Sequence, residues 1–175
     1  MNVKGKNIII TGGSLGIGKE TARDLVKKGA NVLITGRSEN RLIEAKNYTE
    51  SKILEFDISD HENLSKNAKK CIDILDGRVD VLINNAGIGV RKSVDELNIE
   101  DFLKVFNVNV FGLALFTKEI IPLMIKESYG TIINIGSTAS LKGYKNGSIY
   151  SSSKFAVRCL TQCWQAELRP HNIRV

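Results

Sequence analysis

A short apolar strand runs into a glycine turn and then into a helix: residues 7–11 read Asn-Ile-Ile-Ile-Thr, and Gly12-Gly13-Ser14-Leu15-Gly16-Ile17-Gly18 follows. A strand this uniformly apolar belongs in a sheet covered on both faces. The turn aims backbone N–H groups and the positive end of the helix at one point, where a phosphate can sit. Gly12 permits the tight reversal, Gly16 the close approach of a phosphate, and Gly18 the packing of helix on strand. The backbone of Ser14, Leu15 and Ile17 completes the cradle. Its spacing is Gly-x-x-x-Gly-x-Gly, not the commoner Gly-x-Gly-x-x-Gly. The turn by itself therefore fits an ordinary strand-to-helix junction as well as a nucleotide site.

Apolar runs continue to alternate with amphipathic ones, which predicts an α/β chain: a doubly wound parallel sheet with helices on both faces. Strands are expected at 31–35, 52–56, 80–84 and 131–135. Gly29 suits the left-handed position after the first helix, and Ser38 is placed to cap the second. Ser59 with Glu62, and Ser93 with Glu96, have the spacing of capping boxes. A long helix is expected over 99–126, bent or interrupted late by Pro122. Another, over 148–169, is halted by Pro170. Residues 172–175 read as the opening of a sixth strand. The expectation is one domain over 1–175, with the reading frame truncated there or the sheet edge covered by another segment.

A second constellation lies downstream. Tyr150 and Lys154 are four apart, so they share a helix face, and Ser137 stands at the end of the fifth strand. An ammonium beside a phenol favours the phenolate and brings its pKa down from about 10 towards working pH. Tyr150 can then give a proton to a developing alkoxide or take one back, while Ser137 donates a hydrogen bond to the same oxygen. A Tyr-x-x-x-Lys pair alone is commonplace on helix surfaces. Glycine cradle, serine, tyrosine and lysine in this order point to hydride transfer between a nicotinamide and a carbonyl or alcohol.

The second strand bears on which nicotinamide. Sites for NAD place a carboxylate there for the ribose 2′-hydroxyl. This chain has Gly36 and Arg37 instead, and a guanidinium can pair with a 2′-phosphate. NADP is expected over NAD.

The motifs TGGSLGIG (11–18), Asp57, NNAG (84–87), Asn109 in NVNVFG, Ser137 in NIGSTAS and YSSSK (150–154) together resemble the short-chain dehydrogenase/reductase family, over the whole chain. That resemblance implies a Rossmann-type sheet lacking its C-terminal strands, and a catalytic set of Asn109, Ser137, Tyr150 and Lys154. It implies that Lys154 also holds the nicotinamide ribose and that Asn109 positions a water in a proton relay. It sets Asp57 and Ile58 beside the adenine, and Asn84, Ala86 and Gly87 along the cofactor. Without it, Asp57 reads as a helix-start residue and Asn109 as a polar interruption of a helix. A homo-oligomer, dimer or tetramer, pairing the helices around Asn109 and Tyr150 is implied as well. The family ordinarily continues into a segment over the nicotinamide and a substrate loop, so activity of these 175 residues alone is in question.

Composition narrows the alternatives. Lys and Arg number 25 against 19 Asp and Glu, a formal charge of +6. The basic residues are scattered rather than gathered into a nucleic-acid arm or membrane patch. Cys71, Cys159 and Cys163 lack the partners of a metal set and read as buried or half-buried thiols. With the first strand so near the N-terminus, and no apolar run approaching a membrane span, a cytoplasmic protein is expected. His61 and His171 read as solvated or capping residues. The expected function is interconversion of a ketone and a secondary alcohol, with a 3-oxoacyl thioester as the leading substrate guess. A noncatalytic nucleotide-binding or regulatory protein, or an inactive fragment, is the alternative.

Overall fold

The computed structural model describes residues 2–175. Six parallel strands form one sheet in the order β3-β2-β1-β4-β5-β6. They are β1 (Asn7–Thr11), β2 (Asn31–Gly36), β3 (Lys52–Glu55), β4 (Val81–Asn84), β5 (Gly130–Asn134) and β6 (Ile173–Arg174). This is a doubly wound sheet whose order reverses between β1 and β4, the place where such sheets open a crevice at their carboxyl ends.

Alternation along each central strand divides the core in two. Ile8 and Ile10 of β1 pack on one face with Ala22 of α1 (Gly16–Lys27) and Leu42 and Ala45 of α2 (Glu39–Thr49). Ile9 packs on the other face with Ala68 and Cys71 of α3 (Leu64–Ile74) and Phe116 and Ile120 of α5 (Leu113–Lys126). Leu33 and Leu82 follow Ile9, while Val32, Ile34, Val81 and Ile83 follow its neighbours. With both faces covered, the central positions of β1, β2 and β4 must be apolar on both sides, and each strand carries an unbroken run of three such residues, at 8–10, 32–34 and 81–83. On the α1 side the cover stops short of β5, where Ile133 is 40% exposed.

The long helix departs from regularity at an unexpected place. It runs as α4 (Ile99–Phe106), a π-helical turn (Asn107–Gly112) and α5. Pro122 sits inside α5 without interrupting it. Taken together, Ile99–Lys126 is long and apolar enough to cross a membrane by length and composition, contrary to the expectation of no such run. Half of its most apolar stretch is buried within this domain.

Three local expectations are also corrected. Asp57, not Glu62, engages Ser59: Asp57 Oδ1 accepts from the Ser59 N–H at 2.8 Å and its hydroxyl at 2.6 Å. Ser38 occupies the cap position of α2 without a side-chain hydrogen bond. Cys159 and Cys163 are exposed, and only Cys71 is buried. The Ser93–Glu96 capping box does form, but it caps a short 3-10 turn, and Asn98 caps α4 through the Asp101 N–H. Gly29 takes its left-handed φ of +80°. Leu168 ends α6 (Ser148–Leu168), and Pro170 lies in the 3-10 turn after it.

Candidate active site

Two adjoining clefts open at the carboxyl ends of β1, β2, β4 and β5, sharing Ile17, Asn85, Gly87 and Ile88. The first, of about 390 Å³, is lined by the glycine turn, by Arg37 and Arg41 at the β2 end, by Asp57 and Ile58, and by Ala86. Gly12 has φ +66°, and a Cβ there would lie 2.7 Å from the Ala86 Cα, so the turn tolerates no side chain. At Gly16 the φ is +54°, and a Cβ there would meet no protein atom within 4 Å, which leaves the helix start open to a ligand. A Cβ at Gly18 would meet Asn85 Nδ2 at 2.5 Å and Gly12 O at 2.6 Å. Gly18 thus packs α1 against the turn and the end of β4, and it does not line the cleft.

Sequence reasoning missed Asn85 and Arg41 here. Asn85 Nδ2 donates to Thr11 O at 3.0 Å and Gly12 O at 2.9 Å, so it ties β4 to the glycine turn. Asn84, expected along the cofactor, turns its side chain inward instead. It is buried, and its Nδ2 donates to Thr117 Oγ1 and Asn134 Oδ1, both at 2.9 Å. The alternation of a strand explains the swap: adjacent residues face opposite ways. Arg41 lies in the first turn of α2, which returns it to the cleft beside Arg37, Ser38 and Ser14. Its signal was the helix start after Ser38, which fixes the turn that faces β2.

The second cleft, of about 550 Å³, holds Tyr150 and Lys154, with Gly89, Arg91, Gly136 and Tyr144 on its walls. Lys154 Nζ donates to Ile135 O at 2.7 Å and lies 5.9 Å from the Tyr150 ring centroid. Burial without a carboxylate partner pushes the Lys154 amine below its usual pKa. A Cβ at Gly87 would stand 3.4 Å from Asn109 Oδ1 and 3.8 Å from Lys154 Nζ, so amide, amine and the Gly87 backbone converge. Gly89 approaches the Tyr150 ring equally closely, 3.3 Å from a Cβ to Cδ2.

Asn109 sits in the π turn, fully buried. Its Nδ2 donates to Ile88 O at 2.9 Å and to Ser153 Oγ at 3.0 Å, and Ser153 donates in turn to Tyr150 O at 2.7 Å. The carbonyl of Asn107, at the start of the turn, accepts from His61 Nε2 at 3.1 Å, so His61 braces the turn rather than capping its own helix. Gly112 closes the turn where a Cβ would collide with Ile58 O at 2.3 Å. Ser137 follows Gly136 of the second cleft and is half-buried, but it is not itself among the residues lining either cleft. Its Oγ accepts from the Ala139 N–H at 3.1 Å, which leaves its own proton to donate.

This arrangement matches known proteins. The family model for short chain dehydrogenases matches residues 6–175. An oxidoreductase of Staphylococcus epidermidis is 30% identical over 99% of this chain and 76% of its own length. The fatty acyl-CoA reductase of Acinetobacter baylyi is 35% identical, and the chain spans 61% of it. The 3-ketodihydrosphingosine reductase of Mus musculus is 32% identical, and the chain spans 54% of it. Among solved structures, an NAD+-bound xylitol dehydrogenase superposes with a TM-score of 0.92 at 29% identity, covering all of this chain and 69% of that one. A short-chain dehydrogenase from Streptomyces avermitilis does so at 0.93 and 29%, covering 98% and 64%. The chain belongs to the short chain dehydrogenase family, an NAD(P)-binding family of oxidoreductases.

Proposed function

We propose that this chain carries an NADP-dependent site interconverting a ketone and a secondary alcohol. The observation that carries the reading is that Tyr150 and Lys154 line a cleft continuous with the glycine cradle, with Asn109 buried behind Gly87. The cradle fits a dinucleotide: Gly16 leaves room at a helix N-terminus, and Ser14, Leu15 and Ile17 frame it. When bound, the nicotinamide supplies or accepts the hydride. Arg37 and Arg41 offer two guanidinium groups for a 2′-phosphate, and no carboxylate lies at the end of β2 to repel it. Asp57 and Ile58 border the same cleft on the adenine side of that reading, and Ala86 and Gly87 floor the passage between the two clefts.

In the reductive direction Tyr150 gives its hydroxyl proton to the carbonyl oxygen as the alkoxide develops. Ser137 donates a hydrogen bond to that oxygen and orients it. Lys154, anchored on Ile135 O, stabilises the phenolate that Tyr150 becomes. Asn109 holds the Ile88 backbone that forms the cleft wall. A 3-oxoacyl thioester is the substrate class proposed: among the relatives, the fatty acyl-CoA reductase is named for a thioester and the 3-ketodihydrosphingosine reductase for a 3-ketone.

We further propose a cytoplasmic homo-oligomer in which α4, α5 and α6 meet a second copy. Leu103, Phe111, Leu115 and Phe155 supply exposed apolar side chains there. Oxidation of NADPH and of NADH, followed at 340 nm against a panel of ketones, tests the function. Turnover that prefers NADPH is expected; no ketone-dependent oxidation with any substrate would leave only a nucleotide-binding role.

A further inference from the structure

We propose that Arg91 is the docking group for an oxyanion on the carbonyl substrate, a carboxylate or a phosphate. The inference rests on the Tyr150 cleft being the reduction site. Arg91 lines that cleft; among the described residues Lys154 is the only other charged one on its walls, and no Asp or Glu lines it. The next residue provides the contrast: Lys92 Nζ is paired with Asp101 Oδ2 at 2.6 Å. Among the described residues no carboxylate pairs with Arg91. Its guanidinium lies over the Tyr144 ring, 5.7 Å from the centroid, a cation–π contact that does not use its N–H fork.

The position is built from both sides of the cleft. Gly147 lets the Tyr144 ring lie on the backbone, where a Cβ would come within 2.6 Å of the ring. The Lys92 N–H donates to Asn146 O at 3.2 Å, joining the Arg91 loop to the Tyr144 loop. At the other end of the same loop, Gly89 is packed on the Tyr150 ring. Two residues of chain reach at most about 7 Å. An anionic group a few bonds from the reacting carbonyl can therefore meet Arg91 while the carbonyl meets Tyr150. A 3-oxo acid places its carboxylate at this separation, whereas the phosphate on the arm of a carrier-bound 3-oxoacyl thioester lies many bonds farther from the carbonyl.

The test is equilibrium binding to the NADP+-saturated chain of two matched pairs. One pair is acetoacetate and methyl acetoacetate; the other is S-acetoacetyl phosphopantetheine and S-acetoacetyl pantetheine. Acetoacetate is expected to bind about 10-fold or more tighter than its methyl ester, while a gap confined to the phosphopantetheine pair would set the oxyanion too far from the carbonyl and overturn the proposal. In Arg91→Met the gap should close to about twofold, Arg91→Lys should keep part of it, and Lys92→Met should leave it intact. A gap absent from the wild type, or unchanged in Arg91→Met, overturns the proposal. NADPH oxidation with the same compounds is read separately: turnover without a gap sinks the docking role alone, and a gap without turnover sinks the reductase reading alone.

Discussion

Asn109 and the backbone of Ile88 clasp each other through two hydrogen bonds of 2.9 Å, one in each direction. The clasp fixes the wall between the clefts, and through Ser153 it also reaches the backbone of Tyr150. Replacing Asn109 with Ala leaves the Ile88 N–H and C=O unpaired in a half-buried place. A loss of about 2–3 kcal/mol in unfolding free energy is expected, measurable by urea titration. Turnover should fall with it, because the Gly89 contact on the Tyr150 ring depends on the same wall. A change under about 0.5 kcal/mol would mean that water replaces the clasp at no cost.

Much of this fold was legible because its signals are local. Strands buried on both faces read as unbroken apolar runs, as in Asn7–Thr11, and the Gly12 and Gly29 turns announce themselves by residue type. Tyr150 and Lys154 were legible as a pair because helix spacing alone sets them on one face. What could not be read depended on contacts distant in sequence. The π turn at Asn107–Gly112 arises where Gly112 abuts Ile58 and His61 caps Asn107, partners 54 and 46 positions away. Asn84 and Asn85 are identical in type, and only the strand register decides which one faces the cradle. Ser59 and Glu62 have the right spacing for a capping box, but the Asp57 carboxylate is nearer to Ser59 and takes both its donors.

Arg37 and Arg41 should divide the selection of cofactor. Removing one charge-assisted pair costs about 1.5–3 kcal/mol, so Arg37→Ala or Arg41→Ala should raise the KM for NADPH about 10- to 100-fold while the KM for NADH stays within about twofold. Steady-state kinetics with both nucleotides decide this. Equal losses for the two nucleotides would show that the arginines do not read the 2′ position.

Burial lowers the Lys154 pKa beneath its ordinary value of 10.5. Between the native pKa and 10.5 the unfolded chain carries a proton that the native chain has released, so stability rises with pH across that interval. Below it the desolvation cost is present in full. The melting temperature of the wild type, measured relative to Lys154→Met, should therefore climb as pH is raised from neutral towards about 10. A flat difference across this range would show that the amine is solvated.

Single-turnover kinetics of Tyr150→Phe, in protein already saturated with NADPH, test the central claim most directly. The substitution removes one hydroxyl and keeps the ring against Gly89, so NADPH should still bind with an affinity within about threefold. Hydride transfer to the ketone should slow by about 10²–10⁴-fold, the usual contribution of a positioned acid. Transfer at more than about a tenth of the wild-type rate would contradict the assignment of the proton to Tyr150.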